Sequence, residues 1–176
     1  MTARDRILEV AASKIGPYGK GSPEVEAIWR DVLEPSVSGP QVKQFAKNSE
    51  WCGGFVLCCL REAGVTAAHW KIGSGFVLGL LGSKAAIQTP LPGDIGIRQG
   101  AASHPVFHHF FVERYASPTD WDSIDGNSPH CDRHHHTALD PTITFYSIAS
   151  LLPLEAELPE AGFVRGQKFS VPGIQD

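Results

Sequence analysis

The sequence predicts an α+β fold in one domain, with helices first and an antiparallel sheet after them. Three observations carry this expectation. Apolar residues recur at helical spacing through the first part of the chain. From residue 90 onward, alternation and β-rich runs replace that spacing. The chain has 176 residues, 42% apolar and 19% charged, which suits a single globular domain with a proper core. The expected division is a helical part over 1–89 and a sheet part over 90–176 of one domain, 1–176.

Thr2 and Asp5 have the spacing of a capping box. Ile7, Leu8, Ala11, Ala12 and Ile15 follow on one helical face, and Gly16-Pro17 stops the helix. Ser22-Pro23 is an N-cap with proline at the first helical position, ahead of Val25, Ile28, Trp29, Val32 and Leu33. Pro35 to Pro40 reads as a loop. Asn48-Ser49-Glu50 leads into the strongest helix, Trp51 to Ala63, closed by Gly64. Its apolar residues are too dense for a surface helix, which places it at the centre. A short helix is expected within Ala67 to Leu81. Pro90 to Asp94 is a turn. Strands are expected at Ile95 to Ile97, Val106 to Val112, Trp121 to Ile124, Thr142 to Ile148 and Phe163-Val164.

Composition excludes several classes of function. No apolar run approaches the roughly 18 residues of a membrane span. The opening residues lead into an amphipathic pattern, so no signal peptide is expected. Net charge is −4, with 15 basic and 19 acidic residues and no basic block, which argues against nucleic acid or an anionic membrane as partner.

The four cysteines stand at 52, 58, 59 and 131. On one helix Cys52 and Cys59 lie roughly 10 Å apart along the axis, too far for a disulfide. At most one ordinary disulfide, to Cys131, is available, so there is no disulfide framework. These thiols are buried, reactive or metal-bound. Cys52 stands at a helix start, where free amides and the dipole favour a thiolate. Gly53-Gly54 after it allows a substrate backbone or a strand to come close. The plain alternative is a small core residue, and for Cys58 and Cys59 that alternative wins.

Seven of the eight histidines fall between 104 and 136. On a strand, His108 shares a face with Phe110 and Val112, and His109 shares the other with Phe107 and Phe111. One of the two faces whatever packs on the sheet. If that is the Cys52 helix, an imidazole meets the sulfur. Asp125 or Asn127 then offers an acceptor to orient the ring, although Asp-Gly-Asn is also an ordinary tight turn. Cys131 with His130, His134, His135 and His136 has zinc-type chemistry, but Cys-x-x-His supplies only two ligands. No metal and no cofactor is assigned.

The run Ser49-Glu-Trp-Cys52-Gly-Gly-Phe-Val-Leu-Cys-Cys-Leu-Arg-Glu-Ala-Gly64 resembles the nucleophile motif of the CHAP and NlpC/P60 amidase–peptidases, a W-C-x-x-F-V-x-x-x-L-x-x-A-G pattern. Leu91-Pro-Gly-Asp94-Ile-Gly-Ile97 is similar to their P-G-D strand. His108-His-Phe-Phe-Val112 is similar to H-V-G-I-V, and Ile124-Asp-Gly-Asn127 to I-E-G-N. The four motifs stand in family order over roughly residues 5 to 148. Three departures stand out. Phe110 replaces a small residue, which implies a narrower groove. His109 replaces an apolar residue and stays open as an alternative base. Gly53-Gly54 replaces Ala-Ala or Ser-Gly.

The resemblance implies a papain-like fold with the nucleophile helix packed on the sheet. It implies Cys52 as nucleophile, His108 as base, and Asp125 or Asn127 as third member. Tyr18, Trp51 and Gly53 are the expected substrate-binding residues. Tyr18 is set against a loop tyrosine that merely packs its ring. The implied substrate is peptidoglycan, at an amide of the peptide stem or crossbridge, or at the muramic acid–L-alanine bond. The expected setting is synthesis in the cytoplasm without a signal peptide and action in the periplasm or wall. Delivery is by phage lysis or as a secreted antibacterial effector, the latter with an immunity protein. The alternatives are an inactive CHAP-like binding module and a metal-binding protein built on residues 130–136.

Overall fold

The computed structural model describes residues 1–33, 36–65, 86–100 and 107–150. The helix expected within Ala67 to Leu81 and the strand at Phe163-Val164 lie outside these residues. Among the described residues every α-helix precedes every strand, a single 3₁₀ turn at Ile148–Ser150 follows the last strand, and the protein is α+β.

Helix α1 (Ala3–Ser13) opens with the Thr2–Asp5 capping box, in which the Asp5 amide donates to Thr2 Oγ1 at 3.1 Å and the Thr2 amide to Asp5 Oδ2 at 2.8 Å. Helix α2 (Pro23–Val32) starts at Ser22, whose hydroxyl accepts from the Val25 amide. Its buried stripe is Val25, Ile28, Trp29 and Val32. Helix α3 (Gly39–Asn48) is not among the expected elements, and it takes in only the last two residues of the loop expected over Pro35 to Pro40. Pro40 occupies its first turn, where a missing amide costs no helical hydrogen bond. Only Val42 and Ala46 are buried on it, with Phe45 packed on Trp29 at a ring distance of 5.7 Å. That stripe is too thin to stand out in the sequence.

Helix α4 (Cys52–Glu62) is the centre of the molecule. Every residue from Cys52 to Leu60 is buried. It packs on α1, α2 and the sheet, so no side of it needs a polar face.

The five strands are β1 (Ile95–Gln99), β2 (Phe107–Ser117), β3 (Asp120–Asp125), β4 (Asp132–His136) and β5 (Ile143–Tyr146). They form one antiparallel sheet in the order β4-β3-β2-β1-β5. Strand β4 is not among the strands expected from the sequence. It is an edge strand of Asp, Arg and His, with no apolar alternation to signal it, and edge strands carry such residues because they resist pairing with other chains. Ile95, Ile97, Phe111 and Ile124 face the helices and join their core. Phe110, Val112, Trp121, Ile143 and Phe145 form a second cluster on the opposite face.

The Pro-Gly-Asp turn serves as a tie across the fold. Asp94 is fully buried, and its Oδ1 accepts from Arg4 Nη1 at 2.7 Å and from the Ile148 amide at 3.0 Å. Its Oδ2 accepts from the Leu91 amide at 2.8 Å. One carboxylate thus joins α1, the start of β1 and the chain just after β5.

Candidate active site

Helix α4 begins at Trp51, which provides no side-chain cap, unlike Thr2 on α1 and Ser22 on α2. Among the described residues the amides of the first turn, from Cys52 to Gly54, have no hydrogen-bond acceptor. The positive end of the helix is therefore left at the Cys52 thiol.

Strand β2 runs past this point. Cys52 Sγ lies 3.5 Å from Phe107 O and 3.8 Å from His109 Nδ1. His109 is fully buried on the helix-facing side of β2, with Phe111. His108 alternates to the other face of β2, but it follows directly on Phe107 at the end of the strand that reaches Cys52, and its ring is also in hydrogen-bond contact with the sulfur. Its Nε2 meets Asp125 Oδ2 at 2.7 Å. With Nε2 committed to Asp125, Nδ1 is the nitrogen left for the sulfur. Asp125 ends β3 opposite Phe110, so the hairpin return brings its carboxylate beside His108.

The electrostatics follow from these contacts. Burial alone would raise the Cys52 pKa, but hydrogen bonds to His108 and His109 and the charge of both rings outweigh it and bring the thiol down to about 6. Burial alone would lower the His108 pKa. Hydrogen bonds to Asp125 and Cys52, with their charges, push it up to about 9 instead. Between these values the favoured form is a thiolate beside an imidazolium. The other thiols behave oppositely. Burial pushes Cys58 and Cys59 far above the ordinary range and Cys131 up to about 12. All four cysteines are free.

The remaining expected residues fall in different places. Asn127 adopts a left-handed backbone (φ 67°) and donates from Nδ2 to Glu50 Oε2, so it braces the turn while Asp125 holds the histidine. Tyr18 donates its hydroxyl to Lys14 O, and its ring lies 5.8 Å from Trp51. Burial, with Cys131 beside it, holds its pKa above the ordinary range. Trp51 is fully buried, edge-on to Phe55 at 6.4 Å. Its indole and Phe55 wall the Asp-Gly-Asn turn: a Cβ at residue 126 would stand 2.6 Å from Phe55 Cβ and 2.9 Å from Trp51 Cζ3, so only glycine fits. Gly53 is buried in the first turn of α4. Gly54 faces α2 rather than open space, because a Cβ there would meet Ile28 Cγ2 and Trp29 Cη2, each at 3.5 Å.

Phe110 does not narrow a groove. It is buried over Gly96, packed 5.7 Å from Trp121 and 6.5 Å from Phe145. Cys131 points into the main core, while His135 bonds Asp122 at 2.7 Å and His136 stacks on Trp121. Among the described residues no three His, Cys, Asp or Glu side chains are grouped to hold a metal ion.

Two further residues continue the line from His108 through Asp125. Ser123 is fully buried and donates to Asp125 Oδ1, and its Oγ lies 2.8 Å from His136 Nε2. The Ser-x-Asp spacing on one strand face was the available signal for Ser123. His136 had none, because its place depends on the β3–β4 register.

Among the described residues no helix is long and apolar enough to cross a membrane. Comparison of the chain with protein-family models, with curated proteins and with solved structures returns no match.

Proposed function

We propose that this protein is a cysteine hydrolase of the papain-like type that cleaves an amide bond in peptidoglycan. One observation carries the chemistry: a thiol with a depressed pKa at an uncapped helix start, next to a histidine held by a buried aspartate. A binding module has no need of such a thiol. The choice of substrate rests on the four motifs similar to those of CHAP and NlpC/P60 enzymes.

In this reading the Cys52 thiolate attacks the amide carbonyl carbon and a tetrahedral oxyanion forms. The free amide of Cys52 donates to that oxyanion. His108 gives its proton to the leaving amine as the C–N bond breaks, which leaves a thioester on Cys52. Water then attacks the thioester with His108 as base, releasing the acid and regenerating the thiolate. Asp125 keeps the imidazole in orientation throughout. His109 contacts the sulfur as well, but it is His108 that the Asp125 carboxylate holds. The protein acts in the periplasm or wall, as a phage lysin or as a secreted effector countered by an immunity protein.

The test is mass spectrometry of purified peptidoglycan digested with the protein. New amine and carboxyl ends at one amide linkage are expected. Cys52→Ala is expected to lower the rate by 10³-fold or more, in the range seen when such nucleophiles are removed. Undiminished cleavage by that variant would overturn the mechanism.

A further inference from the structure

The contacts of the Asp125 carboxylate extend beyond His108. Its Oδ1 accepts the Ser123 hydroxyl, and Ser123 Oγ in turn lies 2.8 Å from His136 Nε2. The Ser123 proton goes to the carboxylate, so its oxygen must accept, and His136 Nε2 must carry the hydrogen. Burial lowers the His136 pKa, with Arg98, His134 and His135 acting the same way and Asp125 opposing them. A neutral ring that donates from Nε2 fits this setting. The ring is locked in place, stacked on Trp121 at 3.7 Å and 11°. Trp121 is itself fully buried and donates from Nε1 to Ala138 O at 3.3 Å. The line His136–Ser123–Asp125–His108 therefore runs from the sheet edge to the thiol. None of its first three members is placed to touch a substrate bound at Cys52.

We infer that Ser123 and His136 are positioning residues that hold the Asp125 carboxylate with Oδ2 turned to His108, and that they thereby set how much of Cys52 is thiolate. The inference rests on the reading of Cys52, His108 and Asp125 as nucleophile, base and orienter. The physical argument is that a carboxylate 3% exposed has no water to replace a lost donor. Without Ser123 it rotates or takes up a proton. Either change weakens the imidazolium of His108 and with it the thiolate.

The test is a pH titration of the thiolate by ultraviolet absorbance on the intact protein, with the Cys52→Ala signal subtracted. Ser123→Ala is expected to raise the Cys52 midpoint by about one pH unit, a ten-fold loss of thiolate on the acid side. Ser123→Thr, which retains the hydroxyl, is expected to restore it. His136→Phe retains a ring over Trp121 but removes the donor, and is expected to shift the midpoint the same way. With a cleavable substrate, kcat falls while KM holds. A wild-type midpoint in both Ser123→Ala and His136→Phe would overturn the inference, and where Ser123→Ala does not fold, His136→Phe decides alone. A wild-type protein with an ordinary thiol midpoint would overturn it too. A depressed midpoint that depends on Ser123, in a protein that leaves peptidoglycan intact, would uphold the positioning role and overturn the substrate.

Discussion

A cysteine with an ordinary pKa of 9.0 and a histidine with one of 6.5 are both neutral near pH 7. Where Cys52 and His108 meet, the order is reversed, to about 6 and about 9. The signs give the pH window. The thiolate of Cys52 stabilises the fold above its ordinary value, and this stabilisation is lost as pH falls through about 6. The imidazolium of His108 stabilises it below 6.5, and this is lost as pH rises through about 9. The kcat/KM profile is therefore expected to be a bell with limbs near these two values. Asp125→Asn is expected to move the upper limb down toward 6.5, because the imidazolium loses its charged partner. A profile measured on both proteins checks this, and an upper limb unchanged in the variant would remove Asp125 from the set.

At the scale of the element, α4 is central and still leaves its first turn open. Its apolar density buries it against two helices and the sheet, and its uncapped start leaves the first-turn amides free. The Gly53-Gly54 pair, expected to make room for substrate, divides in the structure. Gly54 is turned to Ile28 and Trp29 at ordinary contact distance, so a methyl group fits there. Gly54→Ala is accordingly expected to stabilise the protein by on the order of 0.5–1 kcal/mol, by removing backbone entropy from the unfolded chain. A urea midpoint shifted upward at unchanged m-value checks it. Helix α3 and strand β4 were the illegible elements. The first has a proline in its opening turn and only two buried residues. The second has no apolar residue at all, since a sheet edge does not demand one.

At the scale of the molecule, Asp94 binds the helical and sheet parts together. Arg4 reaches it from α1, and the Ile148 amide reaches it from beyond β5. Removing the carboxylate leaves the buried Ile148 amide without its acceptor and the half-buried Arg4 without its partner, at a cost of roughly 1–3 kcal/mol. Asp94→Ala is expected to lower thermal stability by that order, and Asp94→Asn by less, since its amide oxygen still accepts hydrogen bonds. Calorimetry of the two variants checks this. The aspartate of the P-G-D turn is thus a structural residue of the fold rather than part of the site.

Helical and strand periodicities are local properties, so the α+β class, the capping of α1 and α2 and the central place of α4 were legible from the sequence alone. The strand alternation that puts His108 and His109 on opposite faces was legible for the same reason. Which histidine meets a carboxylate was not, because it depends on β3 pairing with β2 so that Asp125 lies opposite Phe110. That Asp125 and not Asn127 lies beside His108 was hidden in the same way, because a left-handed turn sends the Asn127 amide to Glu50. Ser123 and His136 join that line only once β4 pairs with β3. Spacing along the chain determined which residues were available at the site. Only strand register and the crossing of α4 over β2, which are relations between distant segments, decided which of them touch.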